Sequence, residues 1–515
     1  MNIVVVGGGL HGWLTAMIAK RFYTTDKVTV IASDAIGILG VGEGTTPGFI
    51  QVLDYLHIPV SDLVKECNAT IKLGIDFINW NGDGGSYFHG FSVRNDLDFS
   101  ALDDNPWQQN GLIYKILSEG RDLEDIKFTK KLLDQRGVPW VKKNQNILTA
   151  NPIDQLEGIG AYALHIEART TVPFLEKVAV QRGIEKIEGI VASAVNDEQG
   201  CVKELVLEDG RRVAADFVFD CSGFARLILG KHYGVEWTSY SDFLPLTKAL
   251  AFQLAHDNSP EALKPSTDAV AMNYGWMWRV PVQNRYGYGY VFAGDMISED
   301  QALAEAEQYV GCKIAGSRVI NYSPGSFSKT LHKNVMAVGI AQTFVEPLEA
   351  TTIWVGFLNT LRFVRQGGLE IRDPVYQQRF NDRCAETNRT IVEFLYLHYL
   401  GQRRDKEFWQ GFRSNTKYKE IMSRIDQTLA EWAEAVPVDN EFFASTDMFY
   451  AVNWIQVLEG LGLFTDDHRR AFGQRLQRIV WGQSTEEPLA RFMQNQNHWL
   501  SQCLGHREFL EFLKG

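Results

Sequence analysis

Asn2-Ile3-Val4-Val5-Val6-Gly7-Gly8-Gly9-Leu10-His11-Gly12 opens the chain as a β-branched run that ends in a cluster of glycines. The run reads as a short strand and Trp13 to Phe22 as a helix, which puts the glycines in the turn between them. Gly7, Gly9 and Gly12 have GxGxxG spacing. That spacing lets the backbone turn sharply and brings N–H groups and a helix N-terminus against a pyrophosphate. Lys27 to Ile31 is the next apolar run and predicts a parallel second strand, completing a βαβ unit. The acid that holds a ribose normally stands about 20 residues beyond such glycines. Here the second strand ends Ile31-Ala32-Ser33-Asp34, so Asp34 and Ser33 are the candidates and Ala32 carries no carboxylate.

Working outward, Gly189 to Ala194, Val202 to Glu208 and Val213 to Phe219 read as three strands of a meander, separated by polar turns. A further β run spans Val335 to Gly339. Helical periodicity dominates after Pro374, for example over Phe380 to Tyr399 and Arg469 to Ile479. The fold class is therefore α/β: a doubly wound, glutathione-reductase-like dinucleotide module with an inserted β-sheet, followed by a helical C-terminal substrate lobe. The expected boundary lies near residue 370, with 1–370 holding the module and the sheet and 371–515 the helical lobe.

The chain has 515 residues, 45% hydrophobic and 12% aromatic, well outside the composition of disordered segments. Its formal charge of −12 excludes a general phosphate-backbone binder, so nucleic acid is not an expected partner. The six cysteines lack CxxC or His-pair spacing, which points to reduced thiols and to no metal site. No apolar stretch reaches the ~18 residues of a membrane span and no charged region precedes the first apolar run. The expectation is a cytoplasmic protein with no membrane partner, as a monomer or a homo-oligomer.

Four further stretches carry a resemblance to a known family. They are Gly40-Val41-Gly42-Glu43-Gly44-Thr45-Thr46-Pro47; Lys72 within Asn68 to Trp80; Gly275-Trp276-Met277-Trp278-Arg279-Val280-Pro281; and Phe344-Val345-Glu346-Pro347-Leu348-Glu349-Ala350-Thr351-Thr352. In this order, and together with the glycine loop, they resemble the flavin-dependent tryptophan halogenases over Asn2 to about Gly462. The resemblance implies FAD, supplied reduced as FADH2 by a separate reductase, together with dioxygen and chloride, bromide or iodide. Gly42 and Glu43 match a strap along the flavin, and Gly339 lies where related proteins place a Gly-Asp pair on the flavin side. Lys72 matches the catalytic lysine and Glu349 the active-site carboxylate. Thr351 and Thr352 fall in the halide-binding segment, Thr352 in place of a glycine common in the family.

Trp276, Trp278 and Pro281 match the W-x-W-x-I-P signature, a wall that separates substrate from flavin. His89 and Phe91 match residues of the substrate pocket, and Trp454 is retained as a landmark farther on. The residues that grip free tryptophan are not recognisable between Asp447 and Gly462. The implied substrate is therefore another electron-rich aromatic, an indole, pyrrole or phenol, free or carrier-attached. A lysine suits delivery of hypohalous acid because its ammonium donates hydrogen bonds and its desolvated amine can form a haloamine. A nearby glutamate suits removal of the ring proton. Two other functions share the glycine loop: an aromatic monooxygenase that inserts oxygen directly, and a flavin-binding protein without turnover.

Overall fold

The computed structural model describes residues 1–38, 40, 42–91, 115–121, 124, 127–143, 152–369, 373–434, 448–449, 451–480 and 486–514. Val41 of the strap, Asp447 and the expected boundary at 370 lie outside this set. Contacts divide the chain into two units, each assembled from three stretches.

The first unit comprises Met1–Ala69, Ile166–Thr247 and Ile320–Val392. Its centre is a six-stranded sheet in the order Glu185–Glu188, Lys27–Ala32, Asn2–Val6, Phe217–Asp220, Val335–Ala337, Leu331–His332. The first five strands run parallel and the last closes an antiparallel hairpin. Parallel sheets are covered on both faces, which is why the first strand is apolar at every inner position instead of alternating. Val4 and Val6 join one cluster with Val191, Val202, Leu205 and Leu207, so the antiparallel meander covers that face. On the other side Phe217 lies 5.2 Å, centroid to centroid, from Phe363 in the helix Thr351–Arg365. The helix Leu10–Phe22 is buried along Trp13, Leu14, Met17 and Ile18, and Lys20 and Arg21 complement its dipole at the last turn.

The βαβ reading holds: Lys27–Ala32 pairs in parallel with Asn2–Val6, in the register Val6 to Ile31. The meander reading needs one correction. Val213 to Phe219 is not one strand: Arg212–Ala214 pairs with Val202–Leu207, whereas Phe217–Asp220 crosses into the parallel sheet. Ala215 and Asp216 make the crossing. The Asp216 carboxylate accepts the Asn2 N–H at 2.6 Å, and Ala215 donates its N–H to the carbonyl of Lys203.

The second unit comprises Thr70–His165, Lys248–Val319 and Glu393–Gly515. Within it, six strands follow the order Lys248–Ala255, Arg285–Phe292, Gly275–Val282, Thr267–Met272, Gly74–Ile78, Ser86–Gly90. One face packs Leu250, Phe252, Val270, Met277 and Tyr290 against Ala302 and Ala306 of the helix Glu299–Val310. This sheet groups with the helices after Glu393, and the first unit runs on to Val392, past the position expected from sequence. The physical reason is long-range: Trp409 Nε1 donates to the carbonyl of Met272 at 2.8 Å and Arg403 to that of Ala271 at 2.8 Å, while Trp80 and Trp409 pack edge to face at 5.3 Å. No helix among the described residues is long and apolar enough to cross a membrane.

Candidate active site

In the first unit the turn after the first strand is a cradle that only glycine can build. Gly7 has φ +113°, and a Cβ on Gly12 would come within 1.9 Å of the Gly7 carbonyl oxygen. A Cβ on Gly9 would meet nothing within 4 Å, so the loop is closed on the protein side and open at Gly9. Gly9 is the N-cap of Leu10–Phe22 and offers no side-chain cap, which leaves first-turn N–H groups aimed at that opening. The cradle lies beyond the carboxyl ends of the parallel strands, where ligands of such sheets bind. Asp34 is turned away: its side chain is 82% exposed and pairs with Lys186 at 2.8 Å. Ala32 packs against Gly8, where a Cβ would approach its own Cβ within 2.5 Å.

Glu43 of the strap is half-buried, and loss of hydration pushes its carboxyl up to about 7. Thr46 Oγ1 beside it is buried without a hydrogen-bond partner among the described residues. A proton-bearing carboxyl and an unsatisfied hydroxyl suit a polar cofactor edge, so the residues present fit a flavin dinucleotide. Gly339 sits in a turn with φ +64°.

The segment after Phe344 is strained. Glu349 and Ala350 both have left-handed backbone, φ +65° and +54°, immediately before the helix that starts at Thr351. Consecutive left-handed and right-handed residues turn backbone N–H groups to one side, the geometry of an anion nest. Glu349 is 4% exposed and Glu346 1%. Thr343, Val345, Thr351, Thr352, Val355, Asn388 and Ile391 line a small pocket here, closed too tightly to admit a water molecule. The hydroxyls of Thr351 and Thr352 and the amide oxygen of Asn388 are buried there, with no hydrogen-bond partner among the described residues. Sequence reading missed Glu346, Asn388 and Tyr322. Tyr322 has its hydroxyl pushed well above the ordinary tyrosine range by burial and by the charge of Glu346.

In the second unit Lys72 ends the strand Thr70–Lys72 and is 1% exposed, among the largest fully buried side chains. Its Nζ stands 5.0 Å from the centre of the Phe91 ring. Two histidines that the sequence did not single out fix this strand. His165 lies between the hydroxyls of Thr70 and Thr267, each at 3.1 Å, and Thr70 in turn donates to the carbonyl of Pro281 at 2.6 Å. His506 accepts the Ile71 N–H at Nε2, 2.9 Å, while its Nδ1 lies 2.7 Å from the carbonyl of Leu263. Burial lowers the pKa of both, His506 to about 4 and His165 well below its ordinary value, and the Lys72 charge contributes at His165. Both are neutral. Only distance in sequence hid them, since His506 lies 435 residues from Ile71.

Trp276 and Trp278 alternate onto one face of their strand, opposite the face that carries Met277, with centroids 6.0 Å apart. Each stands over small residues: Trp276 pairs with Ala271, and a Cβ on Gly289 would enter the Trp278 ring at 1.9 Å. His89 is 5% exposed and its Nε2 lies 3.0 Å from Asn453 Nδ2. Phe394 gathers His89 at 5.7 Å, Trp454 at 5.0 Å and His398 at 5.1 Å into one aromatic cluster. Within the second unit the structure brings His89 and Trp454 to one cluster and Lys72 to Phe91, with Pro281 hydrogen-bonded to the start of the Lys72 strand. Within the first unit Glu349 is followed by Thr351 and Thr352 at the start of the helix.

Residues 2–476 match the model of the family described as tryptophan halogenase. The chain belongs to the tryptophan halogenase family. It is 30% identical over 449 residues to the 7-chloro-L-tryptophan 6-halogenase KtzR of Kutzneria sp. (strain 744), covering 84% of this chain and 85% of that one. It is 29% identical to the tryptophan 7-halogenase RebH of Lentzea aerocolonigenes, covering 90% of each. Among solved structures, a flavin-dependent halogenase from Xanthomonas campestris superposes with a TM-score of 0.80 at 27% identity, covering 99% of this chain and 97% of the other. Family membership makes this chain a flavin-dependent halogenase with a mixed α/β fold. It also answers the two rival readings from sequence in favour of halogenation.

Proposed function

We propose that this halogenase oxidises a halide at the first unit's dinucleotide site and passes the product through Lys72 to an electron-rich aromatic other than free tryptophan. FAD, bound as FADH2, supplies two electrons with which dioxygen converts halide and a proton into hypohalous acid and water. Gly7, Gly9 and Gly12 would hold the pyrophosphate, with Gly42, Glu43 and Gly339 toward the rest of the cofactor. Thr351, Thr352 and the amides after Ala350 would hold the halide, an anion that needs donors in an otherwise apolar pocket. Val345, Val355 and Ile391 keep bulk water out of it.

Lys72 would donate a hydrogen bond to the oxygen of hypohalous acid, or take the halogen as a haloamine with release of water. Burial suits either role, because water neither competes for the ammonium nor hydrolyses the N–halogen bond. Glu349 would remove the proton from the ring carbon that has accepted the halogen. Trp276 and Trp278 would wall the substrate off from the flavin, and His89, Phe91 and Trp454 would line the substrate side. The chain carries no second Gly-rich nucleotide fingerprint, so the reduced flavin would come from a separate reductase.

The single observation that carries this reading is the burial of Lys72, 1% exposed, with its Nζ 5.0 Å from the centre of the Phe91 ring at the matching family position. The test is a product assay with reductase, FAD, bromide and a panel of indoles, pyrroles and phenols. Brominated arene supports the reading. Hydroxylated arene, or no trapping of hypohalous acid with any halide, refutes it.

A further inference from the structure

His11 stands inside the glycine fingerprint, in the first turn of Leu10–Phe22, at a position the fingerprint leaves open to any side chain. Its ring reaches across to the segment that carries Thr351 and Thr352. His11 Nε2 lies 3.2 Å from the carbonyl oxygen of Ile353. That oxygen only accepts, so Nε2 carries the proton and donates. Burial lowers the pKa of the imidazole to about 4, which keeps the ring neutral.

Two glycines make room for the ring. A Cβ on Gly339 would come within 2.5 Å of His11 Nδ1, and a Cβ on Gly356 within 2.7 Å of the opposite ring edge. Phe357 closes the notch, its ring centre 4.9 Å from that of His11. The imidazole is thus fitted on three sides. It ties the glycine turn at Gly9, the turn at Gly339 and the first turn of Thr351–Arg365 into one unit. Ile353 is the residue after Thr352, whose unsatisfied hydroxyl faces the small pocket.

We propose that His11 is a positioning residue that couples occupation of the flavin cradle to the shape of the halide pocket. The coupling rests on the functional reading given above. A pyrophosphate seated on the Gly9 side orders the turn that carries His11, and the His11–Ile353 hydrogen bond transmits that order to Thr351 and Thr352. Coupling between two sites is reciprocal, so a halide in the pocket must tighten FAD by the same factor that FAD tightens the halide.

The test measures binding, not turnover. Oxidised FAD is titrated into the wild-type chain by calorimetry, without bromide and with saturating bromide, at ionic strength held constant with gluconate. The same titrations follow for His11→Phe, which keeps a flat ring but loses the donor, and for His11→Gln, which restores a donor N–H. Bromide is expected to tighten FAD about fivefold or more in the wild type, to have no effect in His11→Phe and to act again in His11→Gln. Wild-type binding that ignores bromide overturns the coupling, as does a His11→Phe variant with the wild-type bromide response. A wild-type chain that binds no FAD refutes the functional reading itself, so the two failures are distinct.

Discussion

His506 offers a measurable link between protonation and the strand that bears Lys72. Its Nε2 accepts the Ile71 N–H and its Nδ1 donates to the carbonyl of Leu263, so both ring nitrogens are used only while the ring is neutral. A second proton would set a donor against the Ile71 N–H and place a cation in a fully buried site near His165. Burial accordingly lowers the pKa from the ordinary 6.5 to about 4. The folded state then binds fewer protons than the unfolded chain throughout that interval. Stability from this group is complete above the unfolded pKa and is lost as pH falls from 6.5 toward 4. That interval corresponds to about 3 kcal/mol in full, of which about 2 kcal/mol is lost by pH 5. Urea unfolding, followed by circular dichroism at about pH 8 and pH 5, isolates the effect when wild type is compared with His506→Gln, because all other titrating groups are common to both. The wild type is expected to lose about 2 kcal/mol more than the variant between the two pH values. Parallel pH dependences would refute a neutral, doubly bonded His506.

Three other outcomes follow from the geometry. Lys72→Ala is expected to lower arene halogenation by about a hundredfold or more while oxidation of reduced flavin by dioxygen continues, measured by product chromatography and flavin absorbance in one reaction. Loss of both would place the lysine in flavin chemistry. Glu349→Gln is expected to slow halogenation by about 10² to 10⁴ with an unchanged melting profile, and unaltered turnover would remove it from the mechanism. Asp268, 1% exposed, ion-pairs with Lys264 at 2.7 Å and with Arg279. Asp268→Asn should therefore destabilise the chain by about 2–3 kcal/mol in urea unfolding, since Arg279 loses its counter-ion while Lys264 keeps Asp76 at 2.5 Å. A loss below about 1 kcal/mol would show that solvent screens the cluster.

The glycine cradle was legible because all of its determinants lie within one strand, one turn and one helix start. The parallel second strand and the long C-terminal helices were legible for the same reason, since local periodicity encodes them. Lys72, Glu349 and the tryptophan pair were found by resemblance and not by periodicity: a lone lysine after two strand residues carries no burial signal of its own. The three histidines were not legible. Their partners lie 342 residues away for His11 and 435 for His506, and 95 and 102 for His165. The break at Ala215 and Asp216 escaped notice too, because Val213 to Phe219 is apolar at every position but Asp216 and passes for one buried strand, and only pairing partners distinguish two. One local signal was available for His11: a large polar ring in a loop whose neighbours are glycines needs space from elsewhere, and Gly339 and Gly356 provide it.

Glu349 and Ala350 make the same point from the side of energetics. Left-handed backbone costs a residue with a Cβ roughly 1–2 kcal/mol, and here two stand in succession. Glycine at Ala350 would relieve that strain, yet it would also free the segment in the unfolded chain and loosen it in the folded one. Alanine holds the turn in a single conformation, and the neighbours hold the alanine: Val345, Leu348 and Thr351 are 3% exposed or less. On the proposed reading a halide, which has no direction of its own, would be bound only by donors already in place, so rigidity at this turn would serve binding more than relief of strain would. Thr352 extends the logic. By the family resemblance a glycine is expected there, whereas threonine carries a methyl and a hydroxyl at the small pocket lined by Val345, Val355 and Ile391. On the proposed reading the methyl would narrow the pocket and the hydroxyl would add a donor, a side-chain contact that a glycine could not make.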